Sequence, residues 1–282
     1  MAFVDNGRAR IHWHAVGKAQ DKAPPLLLVM GLGCSSAMWF RLAPLLARDF
    51  RVILMDNRGM GQSTAPHALV HRVPDMASDI AAVMDAAGEQ SVHLAGLSMG
   101  GMIAQEFAIN HPDRLRSLTL MATNCGSTHA VLAERDVWQL LFNKSRSSAE
   151  EALERMRPHT YAAGTAADRI EEDHLVRIAN HPAKRDYEAQ LYGLIGWSSY
   201  SRLQRIQCPT LVMHGLEDKL IPPQNGRILA AQIAGAQLVE LADASHWLHS
   251  DRPRRVASEL RQFTRGLEIT AGGVTSRATS TS

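Results

Sequence analysis

An α/β fold built on a mostly parallel, doubly wound sheet is what this 282-residue chain predicts. Short apolar runs rich in Val, Ile and Leu recur along it, the kind buried on both faces of a parallel sheet. Helical patterns separate those runs, so strand and helix alternate and helices should cover both faces. The composition is that of an ordinary globular protein, 45% hydrophobic and 21% charged with 20 Gly and 12 Pro. That excludes collagen-like, coiled-coil and wholly disordered chains.

The elements can be taken in order. Residues 2–4 and 9–16 flank Asp5-Asn6-Gly7, a strong turn signal, and read as a hairpin. Buried-strand runs follow at 26–30, 51–55, 92–97, 118–122, 210–213 and 238–241. Helical patterns lie between them at 37–47, 74–87, 99–110, 225–234 and 253–267. From about 126 to 204 no buried-strand run occurs, only helix-favouring stretches at 130–142, 149–156 and 186–195. The expected division is therefore a core of residues 1–125 and 205–266, an inserted helical cap at 126–204, and a disordered Gly-, Ser- and Thr-rich tail at 267–282.

Charge and cysteine usage narrow the partners. Lys+Arg 30 against Asp+Glu 28 leaves +2 with no long like-charge run, so the basic stripe of a nucleic-acid binder is missing. The longest apolar run, 24–32, is too short to cross a bilayer. Residues 1–17 alternate polar and apolar side chains without the apolar stretch of a secretion signal. Cys34, Cys125 and Cys208 are odd in number, widely spread and without metal-ligand spacing, which suits a reducing cytoplasm. The expectation is a cytoplasmic protein acting on a small molecule, with no nucleic-acid or membrane partner.

The sharpest motif is Gly96-Leu97-Ser98-Met99-Gly100, directly after the run Val92-His93-Leu94-Ala95 and directly before a helical pattern. A Ser forced onto a sharp strand-to-helix turn needs small neighbours two positions to either side, or the backbones collide. Gly96 and Gly100 meet that need, and the turn would lift the Ser98 oxygen above the sheet edge. The N-terminus of the following helix favours negative charge developing there. Ser98 is thus the candidate nucleophile, against the plainer reading of a Gly-rich turn.

On these residues the sequence resembles the α/β-hydrolase family, and the resemblance extends to both ends of the chain. It implies the order nucleophile, acid, His, with the acid after a late strand and the His after the last. Leu211 to Asp218 followed by Ile221-Pro222 looks like the acid loop, with Asp218 at the matching position and Glu217 read as a surface charge. Ala244-Ser245-His246-Trp247, after the run at 238–241, looks like the histidine loop. Of 13 His, His246 is the one just past a final strand; neither His249 nor Asp243 matches the pattern. Met30-Gly31-Leu32-Gly33 occupies the place where many relatives carry His-Gly, so the implied oxyanion hole is the backbone N–H pair of Leu32 and Met99. A dinucleotide-binding reading of this segment fails because Ser36 stands where the third Gly is needed, and no Gly-Lys-Ser/Thr follows for a P-loop. Asp56-Asn57-Arg58-Gly59-Met60-Gly61-Gln62-Ser63 reads as a structural turn.

Aromatics are only 5% of the chain, so where they fall is informative. Tyr161, Tyr187, Tyr192 and Tyr200 all lie in the insertion, with Trp138, Phe142 and Trp197. One reading makes the insertion a lid over an ester-sized pocket lined by Gly31, Trp39, Trp138, Trp197 and Trp247, with Met30, Met38 and Met99. In the other, these side chains simply pack a small helical layer. Cys34 and Cys125 read as small packing residues.

The resemblance implies a Ser–His–Asp hydrolase acting on an ester or lactone of a small to medium apolar substrate through an acyl-enzyme, without cofactor or metal. Ser98 argues against branches with an Asp nucleophile. The enzymatic rival is a carbon–carbon bond hydrolase of ring-cleavage products, whose branch also carries Ser-Met-Gly-Gly and a His-Trp pair. The rival of a different class is a non-catalytic binding protein of the same fold. Retention of Ser98, Asp218 and His246 counts against it.

Overall fold

The computed structural model describes residues 1–19, 22–66, 68–143 and 148–275. Eight strands form one sheet: β1 (Ala2–Asn6), β2 (Ala9–Gly17), β3 (Pro25–Val29), β4 (Arg51–Met55), β5 (Val92–Leu97), β6 (Leu115–Met121), β7 (Thr210–Gly215) and β8 (Gln237–Leu241). Their order across the sheet is β1-β2-β4-β3-β5-β6-β7-β8. The β1–β2 hairpin turns at Gly7, whose φ of 60° suits Gly, and joins β4 antiparallel. Every pairing from β4 to β8 is parallel.

Because successive strand side chains point to opposite faces, the central strands feed two cores. Leu27, Val29, Ile53, Met55 and Leu94 pack on one face beneath α2 (Val73–Ala86), α3 (Met99–Asn110) and α8 (Gln224–Gln232). Leu26, Leu28, Val52, Leu54 and Leu97 pack on the other beneath α1 (Ala43–Leu46), α9 (Leu248–Asp251) and α10 (Pro253–Thr275). β8 departs from the expectation of strands buried on both faces. It lies at the sheet edge, with no strand pairing beyond it among the described residues, and Gln237, Leu238 and Glu240 are exposed.

Between β6 and β7 run α4 (Arg135–Asn143), α5 (Ala149–Thr160), α6 (Ala167–Ala179) and α7 (Lys184–Leu194). Of these, α6 was not legible in the sequence. The two chain segments at the base of this insertion meet in a single antiparallel bridge, Gly126 to Ser198. Two further differences concern helix lengths. Residues 37–47 are a 3₁₀ turn (Ser36–Phe40) and then the single-turn α1, with Pro44 fixing the start of the second piece. At the other end, α10 runs on beyond Leu267 to Thr275. A nucleated helix adds one bond for each residue it orders, which lets it outrun its packed face. Residues 276–282 of the expected tail lie outside the described residues.

Candidate active site

Ser98 alone makes the turn from β5 into α3, with φ 56° and ψ −122°, a conformation that side-chain-bearing residues rarely adopt. The closeness of the surrounding backbone explains its neighbours. A Cβ on Gly96 would lie 2.2 Å from the Gly100 carbonyl oxygen, and one on Gly100 would lie 2.2 Å from that of Val29. The turn is pinned at both ends. The Ser98 N–H donates to the Met121 carbonyl at 2.9 Å, and the Thr123 hydroxyl donates to the Ser98 carbonyl at 2.7 Å. Ser98 is partly exposed between buried neighbours.

Asp218 lies in the loop after β7 and His246 in the loop after β8. They meet because these strands are parallel neighbours whose C-terminal ends share one sheet edge. His246 Nδ1 is 2.9 Å from Asp218 Oδ2, and both residues are buried. Oδ1 accepts the N–H groups of Leu220 and Ile221 at 2.9 and 2.8 Å. His214 adds a further partner. Its Nε2 donates to the Ile221 carbonyl at 2.8 Å and stands 3.4 Å from Asp218 Oδ2. Burial by itself raises the Asp218 carboxyl, but His246 and His214 outweigh it and hold the group below its ordinary value. A carboxylate here fixes the proton of His246 on Nδ1 and leaves Nε2 available as a base.

The segment after β3 comes close to the serine: a Cβ on Gly31 would lie 3.1 Å from Ser98 Cβ and 3.6 Å from its Oγ. Among the described residues, the N–H groups of Leu32 and Met99 donate to no protein acceptor. The Asn57 amide donates to the Met30 carbonyl at 2.8 Å, and the Gly33 N–H donates to Gln190 Oε1 at 3.1 Å. The loop is therefore held from the core on one side and from α7 on the other.

Gly31, Leu32, Ser98, Met99, His246 and Trp247 all line one cavity of about 130 Å³. The insertion contributes Trp138 and Tyr187 to its wall, and the acid loop contributes Leu220 and Ile221. Two aromatics read from sequence as pocket residues are elsewhere. Trp39 is fully buried in the core under α1 and α10, its ring 5.0 Å from that of His249, because the turn carrying it points into the sheet face. Trp197 packs into the opposite core and donates its indole N–H to Glu106 at 2.8 Å, anchoring the return of the insertion to α3. His249 is fully buried and pushed down to about 3, first by burial and then by His246 and Arg41. Glu217 is partly exposed, and its carboxylate accepts the Ala163 N–H at 2.8 Å.

Sequence reasoning missed His214, Gln190 and Arg177, a further lining residue. Gln190 acts through a contact made across the fold, and His214 through a local turn that brings Asp218 and Ile221 back onto it, so no motif signalled them.

A sheet of this order with its serine at a strained β5–α3 turn is the architecture of α/β-hydrolases. The family model for the alpha/beta hydrolase fold matches residues 24–253. The chain belongs to that family. It is 32% identical over 250 residues to a poly(3-hydroxyalkanoate) depolymerase of Ectopseudomonas oleovorans, covering 88% of this chain and 87% of the relative. Among solved structures it is similar to the enol-lactonase of Burkholderia xenovorans LB400, with a TM-score of 0.80 and 27% identity over 93% of this chain and 99% of that one. A thermophilic esterase from Thermogutta terrifontis matches with a TM-score of 0.81 and 27% identity over 94% and 98%. Among the described residues, no helix is long and apolar enough to cross a membrane.

Proposed function

We propose that the protein is a serine hydrolase that cleaves a carboxylic ester or lactone of a small to medium apolar substrate through an acyl-enzyme. The observation that carries this reading is the convergence of a strained Ser98 and an Asp218-bonded His246 on one cavity. Ser98 Oγ attacks the carbonyl while His246 Nε2 takes its proton. Asp218 orients the ring and stabilises the imidazolium that forms. The N–H groups of Leu32 and Met99 receive the oxyanion, at the N-terminus of α3 where negative charge is favoured. The alcohol leaves with the proton from His246, and water then attacks the acyl-enzyme by the same route. This chemistry requires no cofactor or metal.

In this reading residues 1–125 and 205–266 form the catalytic core and 126–204 a cap that roofs the cavity with Trp138 and Tyr187. The cavity is small beside the roughly 300–1,000 Å³ of sites for drug-sized ligands, which accords with a short substrate. The three cysteines are free and buried, in keeping with a cytoplasmic location. The relatives named as an esterase, a lactonase and a depolymerase of a polyester support the same bond type.

The test is covalent. A fluorophosphonate should label one serine per chain, and Ser98→Ala should abolish labelling and lower kcat by something on the order of 10⁴-fold. Labelling that survives the substitution would assign the nucleophile elsewhere.

A further inference from the structure

Arg177, on α6, lines the cavity beside Tyr187, Trp247 and His246. Its guanidinium carbon stands 4.9 Å from the centre of the Trp247 ring, the residue next to His246. Apart from His246, it is the one ionisable base among the described residues of the wall, and no carboxylate lines the cavity with it. The acids on neighbouring helices are engaged elsewhere. Asp173 binds Arg41 and the Tyr161 hydroxyl, Glu172 binds Arg41, and Glu154 pairs with His174 and Arg157. Among the described residues, Arg177 itself has neither a hydrogen bond nor an ion pair.

A guanidinium carries five N–H donors in a rigid fork and stays charged at any ordinary pH. Contact with the face of an aromatic ring steadies the charge but satisfies none of those donors. Arg177 is only partly buried, and among the described residues its donors meet no protein acceptor. The group that matches the fork in shape and charge is a carboxylate, which binds it through two parallel bonds. Elsewhere the lining includes Met156, Leu220 and Ile221, which cluster with Val137 into an apolar patch. The cavity therefore offers a charged position against Trp247, the neighbour of His246, and an apolar patch.

We infer that Arg177 is the recognition site for a carboxylate on the substrate. The preferred substrates are then esters or lactones that carry a second, free carboxylate a few bonds from the scissile carbonyl, such as half-esters of short dicarboxylic acids. This rests on the hydrolase reading of the same site and names its substrate class.

The experiment compares p-nitrophenyl hydrogen glutarate with p-nitrophenyl methyl glutarate, which has the same chain with the charge capped. In the wild type, kcat/KM for the half-ester should exceed that for the capped diester by about tenfold or more. Arg177→Met keeps the apolar stem over Trp247 and should bring the ratio close to one, while Arg177→Lys should retain part of it. A wild-type ratio near one, or an equal ratio in Arg177→Met, overturns the inference. A second measurement is independent of turnover. In Ser98→Ala, tryptophan fluorescence should report tighter binding of monomethyl glutarate than of dimethyl glutarate, and adding Arg177→Met should remove the difference. Should this binding preference appear while neither nitrophenyl ester is cleaved, the carboxylate site stands and the hydrolase reading falls. Equal binding of the two glutarates overturns the carboxylate site whatever the hydrolysis results.

Discussion

At Ser98 the backbone is held at a positive φ by bonds at both ends of the turn, a strain on the order of 1–3 kcal/mol that the packed surroundings sustain. Asp218 shows the same over-determination in electrostatic form. It is buried, yet its carboxylate receives Leu220, Ile221 and His246, with His214 close behind. Asp218→Asn would present an amide that can hold His246 in the other tautomer, so kcat should fall by about 10⁴-fold with little change in fold. Glu217→Gln retains an oxygen for the Ala163 N–H and should stay within a few-fold of wild type. Steady-state kinetics on a nitrophenyl ester separates the two, and the reverse order would move the acid to Glu217. The Gly-x-Ser-x-Gly spacing made Ser98 legible because a local backbone demand determines it. His214 was not, since its role arises only where the chain folds back on Ile221.

The elements that present these residues depend on close backbone approach. The β5–α3 turn fits against β3 only because Gly100 has no side chain, its Cβ position lying 2.2 Å from the Val29 carbonyl oxygen. Gly100→Ala should therefore destabilise the protein by about 3 kcal/mol or more, since backbone on both sides must shift. Gly164→Ala is the matched control. Its nearest atom would be the tip of Arg252 at 3.7 Å, and its effect should stay within about half a kcal/mol. Urea unfolding of the two variants measures both, and a mild effect at Gly100 would mean that the elbow is looser than its geometry. The strands were readable for a related reason: a central parallel strand must be apolar on both faces. β8 obeys a different rule because it lies at the edge, and α6 escaped notice because its exposed face is strongly charged.

At the scale of the molecule, the cavity exists because the insertion between β6 and β7 returns over the C-terminal ends of the strands. Trp197 bonds to Glu106 at the base of that insertion, whereas Trp138 reaches the wall of the cavity. The two tryptophans should thus behave differently on truncation. In the wild type, each added acyl methylene contributes about 0.8 kcal/mol, close to fourfold in kcat/KM, until the short cavity is full. Trp138→Ala should flatten that dependence while fluorophosphonate labelling persists. Trp197→Ala should leave the chain-length optimum unchanged but lower stability by about 3 kcal/mol, having emptied a core site. An ester series with thermal melts checks both, and a flattened profile in Trp197→Ala alone would reverse the assignment.

The sequence by itself determined the alternation of strand and helix and the tight turn at Ser98, while its resemblance to a family marked Asp218 and His246. The first two depend on local rules: apolar runs for strands buried on both faces, and the backbone demands of one tight turn. Tertiary structure alone decided which tryptophans line the cavity, that His214 stands beside Asp218, and that Arg177, without an ion pair among the described residues, lies against Trp247. Trp138 and Arg177 lie on α4 and α6, helices that are amphipathic in much the same way wherever they pack. Which face meets a cavity and which meets a core depends on the rotation each helix adopts against its neighbours, and that is a property of the assembled layers.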